Sequence, residues 1–306
     1  MTLRAGGATM SDLVEMPEGY FEIAPRPTSA ELAAYYRDKY FGATHGATPY
    51  AHGYTAEELE HKRLQPAETE RIWGRPAGTM LEVGVGEGFS LDYFRQRGWD
   101  ARGLDFTDDG VRAFFPDLAA HLALGDAFSL LDDVIAAGET FDLVICNNVL
   151  EHVIDPVGLI RRLRAIVAPE GMARIAVPND GSWLQDQIVA RGHADPRFWL
   201  APPDHLNYFN TDSLPRTMVA HGWEVVEHLG EFPIDIFLLN EDTAYMRDRA
   251  KGRNCHFARV AFEMGLWKDR SLDAVIEFRR GCARAGIGRN QTLYARPAKG
   301  PAAGTP

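Results

Sequence analysis

"LEVGVGEGFS", Leu81 to Ser90, sets Gly84, Gly86 and Gly88 at alternate positions directly behind an apolar run, with Glu82 just ahead of them. One glycine is enough for a turn. Several close together suit a backbone that a ligand must approach closely, because no Cβ stands in the way. A carboxylate inside an apolar strand is costly unless it is used, so Glu82 either serves that ligand or caps and pairs locally.

Outward from this loop the chain alternates between short apolar strands and helices. "TMLEVGV" reads as a strand and "FSLDYFRQRG" as a helix closed by Gly98. The strand "DARGLDF" and the helix "TDDGVRAFF" follow, then a third strand in "AHLALGDA" and a fourth in "FDLVICNNV". The helix "DPVGLIRRLRAIVAPEG" leads into a fifth strand, "MARIAVPN". Such alternation predicts a parallel sheet covered on both faces, with ligands bound at the carboxyl ends of its strands where the strand order reverses.

At 306 residues the chain has room for one large domain or two small ones. A hydrophobic content of 45% and a charged content of 25% are ordinary for a globular protein. The net charge of −11 argues against a nucleic-acid track and for a small or neutral partner. Arg247, Arg249, Lys251, Arg253, Arg259, Arg279, Arg280, Arg284 and Arg289 nevertheless crowd the last quarter. They either hold an anionic group or pair with Glu263, Asp269, Asp273 and Glu277 on a solvated helical surface. Cys146, Cys255 and Cys282 lack CxxC spacing, and His45 and His52 lack zinc-ligand spacing, so no disulfide framework or metal site is expected. The first residues show no apolar leader and no run reaches membrane-spanning length; the reading is a cytoplasmic protein without membrane contact.

Acidic residues follow the glycine loop at the ends of the next strands. "RGLDF" ends at Asp105, where a carboxylate can accept both ribose hydroxyls, although Asp105 could also cap the next helix. "GDA" places Asp126 after the third strand, where it can accept from an adenine amino group or simply make a turn. "FDLVICNNVLEHVIDP" puts Asn147 and Asn148 at the end of the fourth strand, beside the same crevice. The glycine spacing is GxGxG, not the GxGxxG of a dinucleotide fold. These segments, in this order, resemble the class I S-adenosylmethionine-dependent methyltransferases, in particular the ubiquinone-biosynthesis-like subgroup of small-molecule enzymes. The match runs from about Thr79 to Asn179, with a looser echo in "DHLNYFNTDSLPRTMVAHGWEVV".

The resemblance implies a Rossmann-like, doubly wound, mostly parallel seven-stranded α/β sheet with S-adenosyl-L-methionine as cofactor. It implies that Gly84, Gly86 and Gly88 admit the methionine part and that Glu82 lies by the methionyl end. Asp105 would hold the ribose hydroxyls and Asp126 the adenine amino group, between Phe106 and Ala127, while backbone at Asn147 would meet the methionyl ammonium. The expected reaction is methyl transfer to a small-molecule acceptor, O-methylation ahead of N- or C-methylation. A sugar, a nucleotide-sugar and a secondary-metabolite intermediate are the acceptors considered. A non-catalytic module that binds the cofactor and a nicotinamide-dependent oxidoreductase are the alternatives.

An oxygen acceptor must lose a proton, and histidine is the usual base near neutrality. His205 in "PPDHLNYF" and His152 in "LEHV" are the two catalytic candidates, each with the alternative of merely holding its loop. Tyr208, Trp183 and Trp199 are candidates for an acceptor pocket, or for ordinary loop packing. Metal-assisted catechol chemistry needs clustered carboxylates where this chain has "CNN". The expected organisation is a mobile segment at 1–27, a helical N-terminal lid at 28–75 bearing Tyr35, Tyr36, Tyr40 and Phe41, and a cofactor-binding core at 76–230. A helical insertion at 231–286 then precedes the last strand and tail at 287–306. The insertion's apolar "IDIFLL" and "VAFEMGLW" either cover the sheet or join two copies in a homodimer.

Overall fold

The apolar runs pair into one seven-stranded sheet in the computed structural model, which describes residues 13–28, 30–32, 35 and 53–299. Its strands are β3 (Thr79–Val83), β4 (Asp100–Asp105), β5 (Leu122–Leu124), β6 (Phe141–Asn147), β7 (Val167–Pro178), β9 (Trp223–Gly230) and β10 (Asn290–Pro297), in the order β5-β4-β3-β6-β7-β10-β9. β3 runs parallel to both β4 and β6, with Glu82 opposite Gly103 on one side and Ile145 on the other. β10 alone runs antiparallel to its neighbours β7 and β9. The strand order reverses between β3 and β6, so a crevice opens at their carboxyl ends, where the glycine loop and Asn147 lie.

Two apolar layers hold the sheet between helices. One face packs Leu81, Val83, Val144, Cys146, Ile175 and Leu293 against Leu159, Ile160 and Leu163 of the helix Pro156–Ile166. The other packs Met80, Leu143, Ile145 and Met172 against Leu91 and Phe94 of the helix Phe89–Gln96, and against Ala67 and Trp73 of the helix Leu64–Trp73. Alternation along each strand sends successive side chains to opposite layers. Thr55 opens the helix Ala56–His61 with a capping box completed by Glu58, as its first-turn carboxylates lead one to expect.

One expectation on organisation changes among the described residues. Residues up to 27 were expected to be mobile, yet β1 (Leu13–Glu15) and β2 (Phe21–Ile23) form an antiparallel hairpin, and β2 pairs with β8 (Asn207–Tyr208). The reason is a tertiary partner: Tyr20 is buried and stacks on Phe209 with ring centroids 4.6 Å apart, and Arg26 donates to Asn207 Oδ1 at 2.7 Å. Within 231–286 the chain forms short 3-10 turns, the helix Ala250–Gly265, a π turn and the helix Leu272–Arg284. Ile276 of that last helix belongs to the second apolar layer, so the helix is part of the sandwich. Of the four lid aromatics, Tyr36, Tyr40 and Phe41 lie outside the described residues.

Candidate functional site

All three loop glycines have left-handed backbone, with φ of 78° at Gly84, 58° at Gly86 and 87° at Gly88. The conformation alone therefore favours glycine at each. Their surroundings differ. A Cβ on Gly84 would stand 2.5 Å from Val149 Cγ2, and one on Gly88 3.2 Å from Val111 Cγ2, whereas one on Gly86 would meet nothing within 4 Å. Gly84 and Gly86 line a cavity of about 830 Å³ at the strand ends, and Gly86 is where its wall is bare backbone facing open space.

Asp105 lines the same cavity and holds the loop: the Gly86 N–H donates to its Oδ2 at 2.9 Å, and the Thr107 N–H to its Oδ1 at 3.3 Å. Burial raises its pKa, against the lowering effect of these backbone donors. Phe106, Asp126, Ala127 and Asn147 all line the cavity too. Phe106 is 46% exposed and gives the cavity an apolar wall. Asp126 also caps the helix Ala127–Ala136, its Oδ2 accepting from Ser129 N at 2.9 Å and Ser129 Oγ at 3.0 Å, so the turn and the binding readings coexist.

Glu82 stands differently from its expected place at the methionyl end. It is buried behind the loop and does not line the cavity. Desolvation pushes its carboxyl up to about 8, although Ser90 and the Leu91 amide face it and Arg174 lies near. Its Oε2 is buried with no hydrogen-bond partner among the described residues.

The two candidate histidines meet at the cavity's other wall. His152 and His205 both line it, with ring centroids 4.9 Å apart and planes at 82°. His152 Nδ1 lies 2.7 Å from the Asp204 carbonyl oxygen. That acceptor requires the Nδ1–H tautomer, which in the neutral ring leaves Nε2 with the lone pair. Behind them is Glu151, a residue that sequence reasoning passed over although it stands in the quoted "LEHV". It is 1% exposed, desolvation pushes its carboxyl up to about 8, and its Oε2 has no partner among the described residues. Its carboxylate and the two imidazoles offer ligand atoms within 4.8 Å of one another, a donor set that can take a divalent ion where none was expected.

The three aromatic acceptor candidates do not come to this wall. Tyr208 is buried and donates to the His205 carbonyl at 2.9 Å, Trp199 packs edge-on against Tyr208, and Trp183 is 63% exposed at the start of the helix Trp183–Ala190. None lines the cavity. Tyr208 and Trp199 instead brace the loop that carries His205. Three of the basic residues near the C-terminus find carboxylates within the chain: Arg279 pairs with Glu68 and Glu263, Arg280 with Glu227 and Glu277, and Arg289 with Asp180.

A family model described as a methyltransferase domain matches residues 51–228, more than half of the chain and all of the strands that build the crevice. The chain belongs to this methyltransferase family. It is an S-adenosylmethionine-dependent methyltransferase, and the nicotinamide and non-catalytic readings fall away. A ubiquinone biosynthesis O-methyltransferase of Pseudomonas paraeruginosa is 28% identical over 174 residues, covering 50% of this chain and 74% of that protein. A 1,6-didemethyltoxoflavin-N1-methyltransferase of Burkholderia thailandensis, solved with its substrate and S-adenosylhomocysteine, superimposes with a TM-score of 0.52 at 16% identity, covering 94% of this methyltransferase and 100% of that chain. The cyclase SpnF superimposes with a TM-score of 0.51 at 18% identity, covering 90% and 98%. These two structures share the fold, and one is described as a cyclase, so the reaction must be argued from the site. No helix among the described residues is long and apolar enough to cross a membrane.

Proposed function

We propose that this methyltransferase acts on a hydroxyl group of a small molecule held between the cofactor and the His152–His205 wall. The single observation that carries this reading is the oriented imidazole of His152, in the same cavity as Gly86 and Asp105. The residues fit the cofactor. The bare backbone at Gly86 gives close approach, the Asp105 carboxylate can accept from both ribose hydroxyls, Asp126 can accept from the adenine amino group, and Phe106 and Ala127 can flank the base. When bound, the cofactor supplies an electrophilic methyl group on a sulfonium.

What the chain adds is alignment and proton removal. His152, held through Nδ1 to the Asp204 carbonyl, presents Nε2 to take the acceptor's hydroxyl proton. His205 packs edge-on against that ring and limits its rotation, which reverses the order expected from sequence, where His205 led as the base. The contact that ties His152 to the loop also fixes its tautomer, so holding the loop and acting as base are one arrangement.

The test is an acceptor screen with isotope-labelled methyl donor over matched phenol, alcohol, aniline and carbon-acid panels. Label in an ether product, lost in His152→Ala while S-adenosylhomocysteine still binds, is the expected result. Label only in amines or carbon acids, or full turnover by His152→Ala, overturns it.

A further inference from the structure

Arg174 is a guanidinium on the sheet face, 0% exposed, between the apolar Ala173 and Ile175 of its strand. An arginine there is destabilising unless its donors and charge are satisfied. They are satisfied by groups at the back of the cofactor cavity. Nη1 donates to Asn147 Oδ1, Nε to the Tyr294 hydroxyl at 3.3 Å, and Nη2 to Thr292 Oγ1 at 3.4 Å. The Gln65 amide, with its oxygen turned to the guanidinium, accepts from Nη1 at 3.1 Å and Nη2 at 2.8 Å. Tyr294 passes the contact on, donating to Glu68 Oε1 at 3.0 Å, and Glu68 accepts from Arg279 at 2.7 Å.

The sheet register aims this group at the cavity's methionyl end. Glu82 pairs with Ile145, Ile145 with Arg174 and Arg174 with Tyr294, so Glu82 and Arg174 stand on one face with a single strand between them. Asn147, two residues beyond Ile145, shares that face. Its side chain is therefore drawn inward to Arg174 at the point where the strand ends and Asn148 turns left-handed, with a φ of 53°. Pinning the side chain from behind fixes which way the Asn147 backbone faces in the cavity it lines.

We propose that Arg174 is a positioning residue for the amino-acid end of the cofactor: through Asn147, whose side chain it grips, it holds the wall that receives the methionyl ammonium. This rests on the pocket reading above, with ribose at Asp105 and the methionyl end at Asn147. Arg174 does not line the cavity and touches no ligand; it acts through the residues it grips.

The experiment is calorimetric titration of the full chain with two probes. S-adenosylhomocysteine carries the amino-acid end, and 5′-methylthioadenosine keeps the base, ribose and thioether but lacks it. Arg174→Met is expected to weaken S-adenosylhomocysteine by about tenfold, the loss of one hydrogen-bond-sized contribution, while 5′-methylthioadenosine changes less than about twofold. Arg174→Lys, which keeps the charge, should recover part of the difference. Asn147→Ala cuts the same link from the cavity side and should reproduce the selective loss, so the proposal stays testable if Arg174→Met does not fold. Equal weakening of both probes in Arg174→Lys and Asn147→Ala would mean general damage to the pocket and would overturn the proposal, as would unchanged affinity for both. Asp105→Ala is the control for the underlying reading and should weaken both probes alike. If it weakens neither, the pocket assignment is what fails; if it behaves and the Arg174 variants bind like wild type, only this inference falls.

Discussion

Gly84 and Gly86 share a backbone conformation but not an environment, and a matched pair of alanine substitutions separates folding from binding. Placing an L side chain in left-handed backbone costs about 1–2 kcal/mol at either position. At Gly84 the new Cβ would also lie 2.5 Å from Val149 Cγ2. Valine is stiff at χ1, so the clash is relieved only by backbone movement, at a further cost of about 1–3 kcal/mol. Gly84→Ala should thus lose about 2–5 kcal/mol and Gly86→Ala about 1–2 kcal/mol. At about 2 °C per kcal/mol for a domain this large, the melting temperature should fall by about 4–10 °C and about 2–4 °C. Binding should run the other way. The Gly86 Cβ enters open cavity where the cofactor backbone contact belongs, so S-adenosylhomocysteine affinity should fall at least about tenfold, roughly 1.4 kcal/mol, and further than in Gly84→Ala. Scanning calorimetry and titration calorimetry read the two effects. Wild-type affinity in Gly86→Ala, or equal destabilisation by both substitutions, would refute the claim that Gly86 is the loop's ligand-facing glycine.

Asp105→Ala should weaken S-adenosylhomocysteine by at least about 30-fold, roughly 2 kcal/mol for hydrogen bonds to a charged acceptor, with stability changed by no more than about 1 kcal/mol; titration and urea melts check both. Glu151 holds its proton in the folded state up to about pH 8, whereas in the unfolded chain it ionises near 4.5. Native Glu151 therefore binds more protons than unfolded Glu151 between those values, and its contribution to stability falls as pH rises, by up to about 1.4 kcal/mol per unit. Glu151→Gln should gain stability relative to wild type between pH 5.5 and 7.5, and urea melts showing the same difference at both pH values would remove Glu151 from that role. Tyr208→Phe deletes the hydroxyl that donates to the His205 carbonyl, and should lower turnover by several-fold while leaving S-adenosylhomocysteine affinity within about twofold.

The local pattern carried a great deal. Apolar strands alternating with capped helices determined a parallel sheet, and the position of the glycine loop behind the first of those strands determined the end of the sheet at which a ligand binds. Asp105, Asp126 and Asn147 were legible because each sits where a strand ends, and strand ends converge in this architecture whatever the rest of the chain does. What local pattern could not carry is contact between segments far apart in sequence. The hairpin from Leu13 to Ile23 exists because Tyr20 finds Phe209, some 190 residues away, and this brings a strand against the loop bearing His205. Glu151 was visible as a letter beside His152, but only burial and the return of the 201–209 loop set it behind two imidazoles. Arg174 stands in "MARIAVPN" as one charged letter in an otherwise apolar strand, with nothing local to say where its charge goes. It is enclosed, because Asn147, Gln65, Tyr294 and Thr292, drawn from three elements, supply the acceptors that make a buried guanidinium tolerable. Sequence by itself determined that the glycine loop, Asp105, Asp126 and Asn147 fall at the strand ends around one cavity, since that depends on local turns and strand ends. Tertiary structure decided which polar side chains line the cavity and which stand behind it, since desolvation and hydrogen-bond partners are properties of the packed chain.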